Sequence, residues 1–209
     1  MRRQHLTQLI GTLVVVAALI GLPTAAFAVI TGSVHDLKGE TYTDEICNVC
    51  HTPHNATSTV TAAPLWDHAE SAETFTVYSS ATLDAAPVGQ PSGVSKLCLS
   101  CHDGSVAIDS FGGTVGTDIM TGTALVGSDL SNDHPISFTY DTALATADGE
   151  LHDPATATTE LTGTIADDLL FGGNMECSSC HDVHNAVGNT ALLQIDNDNS
   201  DLCLTCHNK

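Results

Sequence analysis

All eight cysteines of this 209-residue chain fall into four pairs of one spacing, and a histidine follows each pair at once. The four sites are Cys47, Cys50 and His51 (site I); Cys98, Cys101 and His102 (site II); Cys177, Cys180 and His181 (site III); and Cys203, Cys206 and His207 (site IV). Three chemistries compete for this pattern. A disulfide framework suits eight cysteines in an oxidising compartment, but it gives no reason for a histidine after every second one. Zinc accepts two cysteines with two histidines, yet its histidines usually arrive from a separate segment at their own spacing. Covalent attachment of heme c accounts for the whole pattern. Two thiols about one helical turn apart match the two vinyl groups on one heme edge, and the next imidazole then points at the iron. Four sites predict four covalently attached hemes c.

A heme iron held on one side by histidine either keeps its sixth position open or fills it with a second side chain. The first arrangement permits ligand binding or catalysis, and the second makes an electron carrier. Beyond His5 and the four attachment histidines, the sequence offers His35, His54, His68, His134, His152 and His184. Six candidates for four positions favour histidine on both faces throughout. Met120 and Met175 are too few to serve generally, and Met175 stands two residues before Cys177. His54 and His184 each lie three residues after an attachment histidine, in C-x-x-C-H-x-x-H-N, where a short turn sends the second imidazole to a neighbouring heme. Pro53 keeps Thr52 extended and enforces that turn. His134 stands in Asn-Asp-His-Pro, with a similarly restricted backbone. His68 follows Pro64-Leu65-Trp66-Asp67, whose Trp66 is placed to pack on a porphyrin face. His35 lies near the expected mature start, and His152 has the blandest setting. Without His152 one candidate is spare, and His35 is the preferred donor to a heme in an adjoining subunit.

The elements that must hold these residues are thinly signalled. The chain contains a loose duplication, because C-x-x-C-H-x-x-H-N opens a unit at Cys47 and again at Cys177. A Leu-Cys-Leu-x-Cys-His segment closes each unit, at Leu97 and at Leu202. Heme-pair units over about 29–110 and 170–209 are therefore expected, joined by a Gly-, Thr- and Asp-rich segment. Phe111-Gly-Gly and Phe171-Gly-Gly bracket that segment. Its apolar runs, Ser105 to Ile108 and Pro135 to Tyr140, are strand-like at best. Helical periodicity is weak outside the attachment motifs. The fold class predicted is a multiheme cytochrome c, mostly irregular loops with few short helices and strands around a covalent tetraheme core. Asp196 to Asp201 lacks the glycine and terminal glutamate of a calcium loop and reads as a solvated turn. Asn55-Ala-Thr57 matches a glycosylation sequon, but its place beside a candidate ligand favours packing.

Residues 1–28 have the layout of a secretory signal. Arg2 and Arg3 precede a short apolar run, Leu9 to Leu22, and Ala26-Phe27-Ala28 offers a cleavage site. An uncleaved anchor is the rival reading, although the run falls short of the ~20 residues a spanning helix needs. No later segment is apolar for long enough to span a membrane. Cleavage would leave three lysines against 25 acidic residues, a net charge of −22. Such a surface repels nucleic acid and anionic lipid. One Trp, three Tyr and five Phe are a thin aromatic supply, so the cofactors themselves are expected to fill the core.

These segments resemble the multiheme cytochromes with doubled C-x-x-C-H motifs. The resemblance runs through Cys47–Asn55, Pro64–His68, Leu97–Gly104, Asp129–Ser137, Cys177–Asn185 and Ser200–His207. Within that group the chain looks like the extracellular tetraheme filament subunits of metal-reducing bacteria. The resemblance implies bis-His hemes stacked in a continuous chain, heme contact across subunits, and ligand roles for His35, His54, His68, His134 and His184. It leaves His152 without a motif. The expected role is electron transfer by heme-to-heme hopping, in an exported protein at the cell surface or beyond it. Its partners would be further copies of itself and redox donors and acceptors. A soluble periplasmic shuttle is the alternative, and a reductase with an open heme is a third reading.

Overall fold

The structure is a computed structural model that describes residues 29–60, 63–85 and 87–209. The expected signal segment, 1–28, lies outside the described residues. Regular elements are few and short. In chain order they are β1 (Thr76–Val77), α1 (Gly93–His102), β2 (Asp129–Leu130), β3 (Phe138–Thr139), α2 (Thr142–Asp148), α3 (Ile165–Asp168), β4 (Asn174–Met175), α4 (Cys177–Cys180) and α5 (Asp201–Cys206). β1 pairs in parallel with β2, and β3 pairs antiparallel with β4. Single-turn 3₁₀ segments occur at Gly122–Ala124, Thr190–Leu192 and Asp198–Ser200. Loops and turns make up the rest, as the composition implied. No helix of the described residues is long and apolar enough to cross a membrane.

Local chemistry explains where these elements begin and end. Leu144 N donates to the Asp141 carboxylate at the start of α2, a cap worth about 1 kcal/mol. Gly149 ends the helix at φ 75°, in the left-handed region that glycine enters without steric cost. Thr164 and Asp167 satisfy each other's backbone N–H groups at the start of α3. Both Phe-Gly-Gly sequences form tight turns with two consecutive positive-φ glycines, 112–113 and 172–173. In the second, Phe171 and Asn174 exchange both backbone hydrogen bonds, at 3.0 and 3.2 Å, as in a two-residue hairpin. This turn joins Phe171 to β4, whose residue Met175 faces Phe138 of β3. Of the two strand-like runs, only Pro135 to Tyr140 contributes a strand. Ser105 to Ile108 forms none.

Apolar side chains gather in separate clusters instead of one core. The largest centres on Tyr140, Ala145, Ile165, Leu169, Leu170, Met175 and Ile195, all from the second half of the chain. Val60, Trp66 and Leu97 form a second cluster, and Phe75, Leu99 and Leu130 a third. Two separate clusters of three buried side chains each bury too little apolar area to hold an ~80-residue segment against its conformational entropy. The first half of the chain therefore needs another source of burial. α1 packs against α4, which places site II beside site III, across the expected boundary between the two units.

Candidate heme-binding sites

Each attachment motif occupies one helical turn. His51 N donates to Cys47 O at 2.9 Å, His181 N to Cys177 O at 3.0 Å, and His207 N to Cys203 O at 2.9 Å. Site II lies on the last turn of α1. Residues three apart on a turn project to the same side, so each pair of thiols faces one way. All eight thiols are free of disulfides. Among the described residues, no three His, Cys, Asp or Glu side chains converge as a metal cluster.

The attachment histidines are oriented by backbone. The Nδ1 atoms of His51, His102 and His181 lie 2.6, 2.8 and 3.0 Å from the carbonyls of Pro64, Ala124 and Ala191. A carbonyl can only accept, so Nδ1 carries the proton and Nε2 keeps a free lone pair. Returning segments clamp these residues in place. His51 bridges Trp66, His181 bridges Leu193 and His207 bridges Leu151, all antiparallel. At site II the carbonyl of His102 instead accepts from Val126 N and Gly127 N, at 2.8 and 3.1 Å. Leu65 and Leu192, beside two of these bridges, hold φ 55° and 58°. That region costs a non-glycine residue about 1–2 kcal/mol.

Across from three of the four attachment rings stands another histidine. Ring centroids are 6.2 Å apart for His51 and His184, 6.0 Å for His102 and His35, and 6.3 Å for His207 and His134. A metal ion with one imidazole nitrogen on either side at about 2.0–2.1 Å would set the centroids roughly 6.2 Å apart. The three gaps fit an iron held between two histidines. His35 Nδ1 is buried with no hydrogen-bond partner, an uncompensated cost that a metal or a heme edge would remove. Burial, with His102, His181 and His184 nearby, pushes the His35 pKa down. Burial and then His134 push His207 down as well. Both rings are thereby favoured in the neutral form that a metal requires.

The remaining candidates are placed differently. His68 is 2% exposed, and its Nδ1 and Nε2 lie 2.7 and 2.9 Å from the carbonyls of Ala69 and Ala107. Its nearest sulfur is Cys101 Sγ, 3.4 Å from Nε2. Both nitrogens are turned to carbonyls, and the aromatic ring it meets is that of Trp66, at 6.1 Å between centroids. His54 is exposed, on the turn that carries Asn55 at φ 60°. His152 uses its backbone, receiving the Tyr140 hydroxyl at 2.5 Å. His35 faces His102 of its own chain. Among the described residues, no ring faces His181 at axial distance. Met175 is buried in the apolar cluster. Trp66 packs with Val60 and Leu97 and bridges His51 through its backbone.

Burial pushes the Cys101 thiol up to about 12, and its neighbour Cys50 adds to the shift. Cys98 and Cys177 share a hydrogen bond that raises the first and lowers the second. Burial, then Cys180 and Cys203, push Cys206 up to about 12. Site II thus lies beside site III, where α1 packs on α4. Such buried thiols are poor free nucleophiles and well placed as thioether anchors.

The sequence profile of the doubled CXXCH motif matches residues 171–209, which contain sites III and IV. That match supports a multiheme c-type cytochrome. No curated protein matches the chain. Sites I and II lie outside the matched segment and repeat its attachment pattern. In a multiheme cytochrome the chain's own residues do three things here. The cysteines would anchor, the paired rings of His51/His184, His102/His35 and His207/His134 would ligate, and the Pro64, Ala124 and Ala191 carbonyls orient the attachment rings. When bound, heme supplies a one-electron iron couple. Sequence reasoning missed the clamping carbonyls, since backbone acceptors leave no residue-type signature. It also missed Glu176, buried against Ser95, although a lone acidic residue directly before an attachment cysteine was visible.

Proposed function

We propose that the chain is an exported tetraheme cytochrome that passes single electrons along four bis-His hemes c, as a subunit of an extracellular conductive filament. The observation that carries this reading is the set of three histidine pairs at 6.0–6.3 Å across attachment sites. A filled sixth position suits electron transfer and leaves no place for substrate. The packing of α1 on α4, which brings site II beside site III, supports hopping between neighbouring hemes.

Assembly follows from the one unmatched site. A single chain is one ligand short at His181 and has an exposed histidine, His54, to spare. Donation of His54 to site III of the next copy uses two different patches of the surface. An interface of that kind does not close on itself and propagates as a fibre. The spare donor is then His54 and not His35, whose ring is already used within the chain. Acidic subunits repel one another, so assembly should strengthen with salt, which screens exposed charges beyond about 8–10 Å.

Low-temperature EPR with negative-stain microscopy tests the reading. Dispersed subunits should show one high-spin ferric heme in four, and assembled material none. His54→Ala should leave the dispersed spectrum unchanged and abolish fibres. A high-spin heme that persists in native fibres would favour the reductase reading. Particles of monomer size only, across native conditions, would leave the soluble shuttle.

A further inference from the structure

Glu176 is the most buried carboxylate among the described residues, at 2% exposure, and no cation reaches it. Lys96 is engaged by Glu70 and Lys209 by Glu150. Its carboxylate is met only by dipoles. Ser95 N donates to it at 3.2 Å, the Ser95 hydroxyl also donates, and the Ser137 hydroxyl does so at 3.1 Å. Its own backbone N–H is taken by Ser179 Oγ at 2.9 Å. These partners come from three attachment regions. Ser95 lies on α1 with site II, Ser179 lies within site III, and Ser137 stands three residues after His134, which faces His207. Ser95 Oγ in turn accepts from Cys177 N at 2.9 Å. Room is reserved for the carboxylate, since a Cβ at residue 93 would come within 2.8 Å of Oε1, and glycine stands there.

A buried charge without a counter-ion is costly and a hydrophobic residue would pack as well, so its placement calls for a role. Cys177 N–H rests on the same Ser95 hydroxyl that Glu176 holds, and Cys98 follows Ser95 one turn along α1. We propose that Glu176 positions the attachment helices of sites II and III against each other and, through its charge, lowers the reduction potentials of the two hemes held there. A negative charge in a poorly screened interior favours the more positive, ferric form of a nearby iron. The effect falls with distance, so sites I and IV feel it less. This divides four chemically similar hemes into a low-potential central pair and two higher-potential ends. The inference rests on heme occupancy of sites II and III, and on nothing about assembly.

A redox titration of the purified holoprotein, with heme methyl resonances followed by NMR, reads each potential separately. Glu176→Gln keeps an acceptor for Ser95 N and loses the charge. Two hemes should become easier to reduce by about tenfold, an upward shift of about 59 mV for one electron, and the other two by much less. Glu176→Asp keeps the charge and should stay near the wild-type values. Ser137→Gly removes one donor, tolerates the φ of 59° at that position, and should shift the same pair downward by a smaller amount. Equal shifts of all four hemes, or none, in Glu176→Gln would overturn the proposal. If that variant fails to load heme, an unshifted central pair in Ser137→Gly would overturn it. A wild-type heme count below four removes the occupancy on which it rests, and a pyridine hemochrome assay reads that count independently.

Discussion

Sites I and III are built from the same parts. Each opens with C-x-x-C-H-x-x-H-N, and each attachment histidine bridges a returning segment, at Trp66 or at Leu193. In each, Nδ1 reaches the carbonyl two residues before that partner, and a left-handed leucine lies between the two. Even the asparagines that end the motifs match, with φ 60° at Asn55 and 53° at Asn185. The difference lies in what the trailing histidine does. His184, from the site III motif, stacks against His51 of site I at an interplanar angle of 17°. His54, from the site I motif, returns nothing to His181. A duplicated motif has therefore become a one-way exchange. The ring of His51 is faced by a histidine from its twin, and among the described residues that of His181 is faced by none. An interface can recruit only a position that the fold has left unfilled.

Removing whole sites should expose this asymmetry most strongly. Cys177→Ser with Cys180→Ser deletes the site III heme and loosens the turn that carries His184, so site I should lose its second ligand too. Heme analysis would give three hemes per chain, with one of them high-spin by EPR. Cys47→Ser with Cys50→Ser should also give three hemes, and the spin state of sites II and IV should not change. Dispersed, each variant should hold one high-spin heme in three, site I in the first and site III in the second, so the first decides: three low-spin hemes there would mean that site III does not complete site I. A single-ligand change gives a smaller effect of the same kind. His184→Ala should turn one heme in four high-spin in dispersed and assembled material alike, and added imidazole should restore the low-spin signal. An unchanged spectrum would break the His51–His184 assignment.

How far this was legible in the sequence depends on what fixes each feature. Covalent heme attachment would demand particular residue types at a fixed spacing, so the candidate anchors and their histidines are read from sequence alone, and the structure adds that each motif forms one turn. Counting histidines gave a surplus and a ranking, and the rings of His35, His134 and His184 are the ones that the fold brings opposite attachment histidines. Partnership was not legible, because it depends on how loops return across tens of residues. His54 and His184 share a motif, and yet only one of them meets a partner. His68 looked like a ligand in its Pro-Leu-Trp-Asp context, but local carbonyls occupy both its nitrogens. The second half's apolar cluster around Ile165 and Leu169 was hidden for another reason. Its members are scattered over short turns and show neither helical nor strand periodicity.

The smallest effect concerns the left-handed leucines of the two clamps. Leu65 and Leu192 carry the same backbone strain, but Leu65 is 57% exposed and Leu192 only 9%. Glycine at either position removes about 1–2 kcal/mol of left-handed strain and costs about 0.5–1 kcal/mol in chain entropy. At Leu65 little burial is lost, so Leu65→Gly should stabilise the holoprotein by about 0.5 kcal/mol. At Leu192 the lost side chain adds a penalty of about 2–5 kcal/mol, so Leu192→Gly should destabilise it by about 2 kcal/mol. Thermal unfolding of the two holoproteins gives the comparison directly. Opposite signs would show that the strain is common to both clamps and that only the second is also packing. Equal destabilisation would mean that each leucine side chain holds its clamp against the bound heme, and that the backbone alone does not fix the orientation of His51.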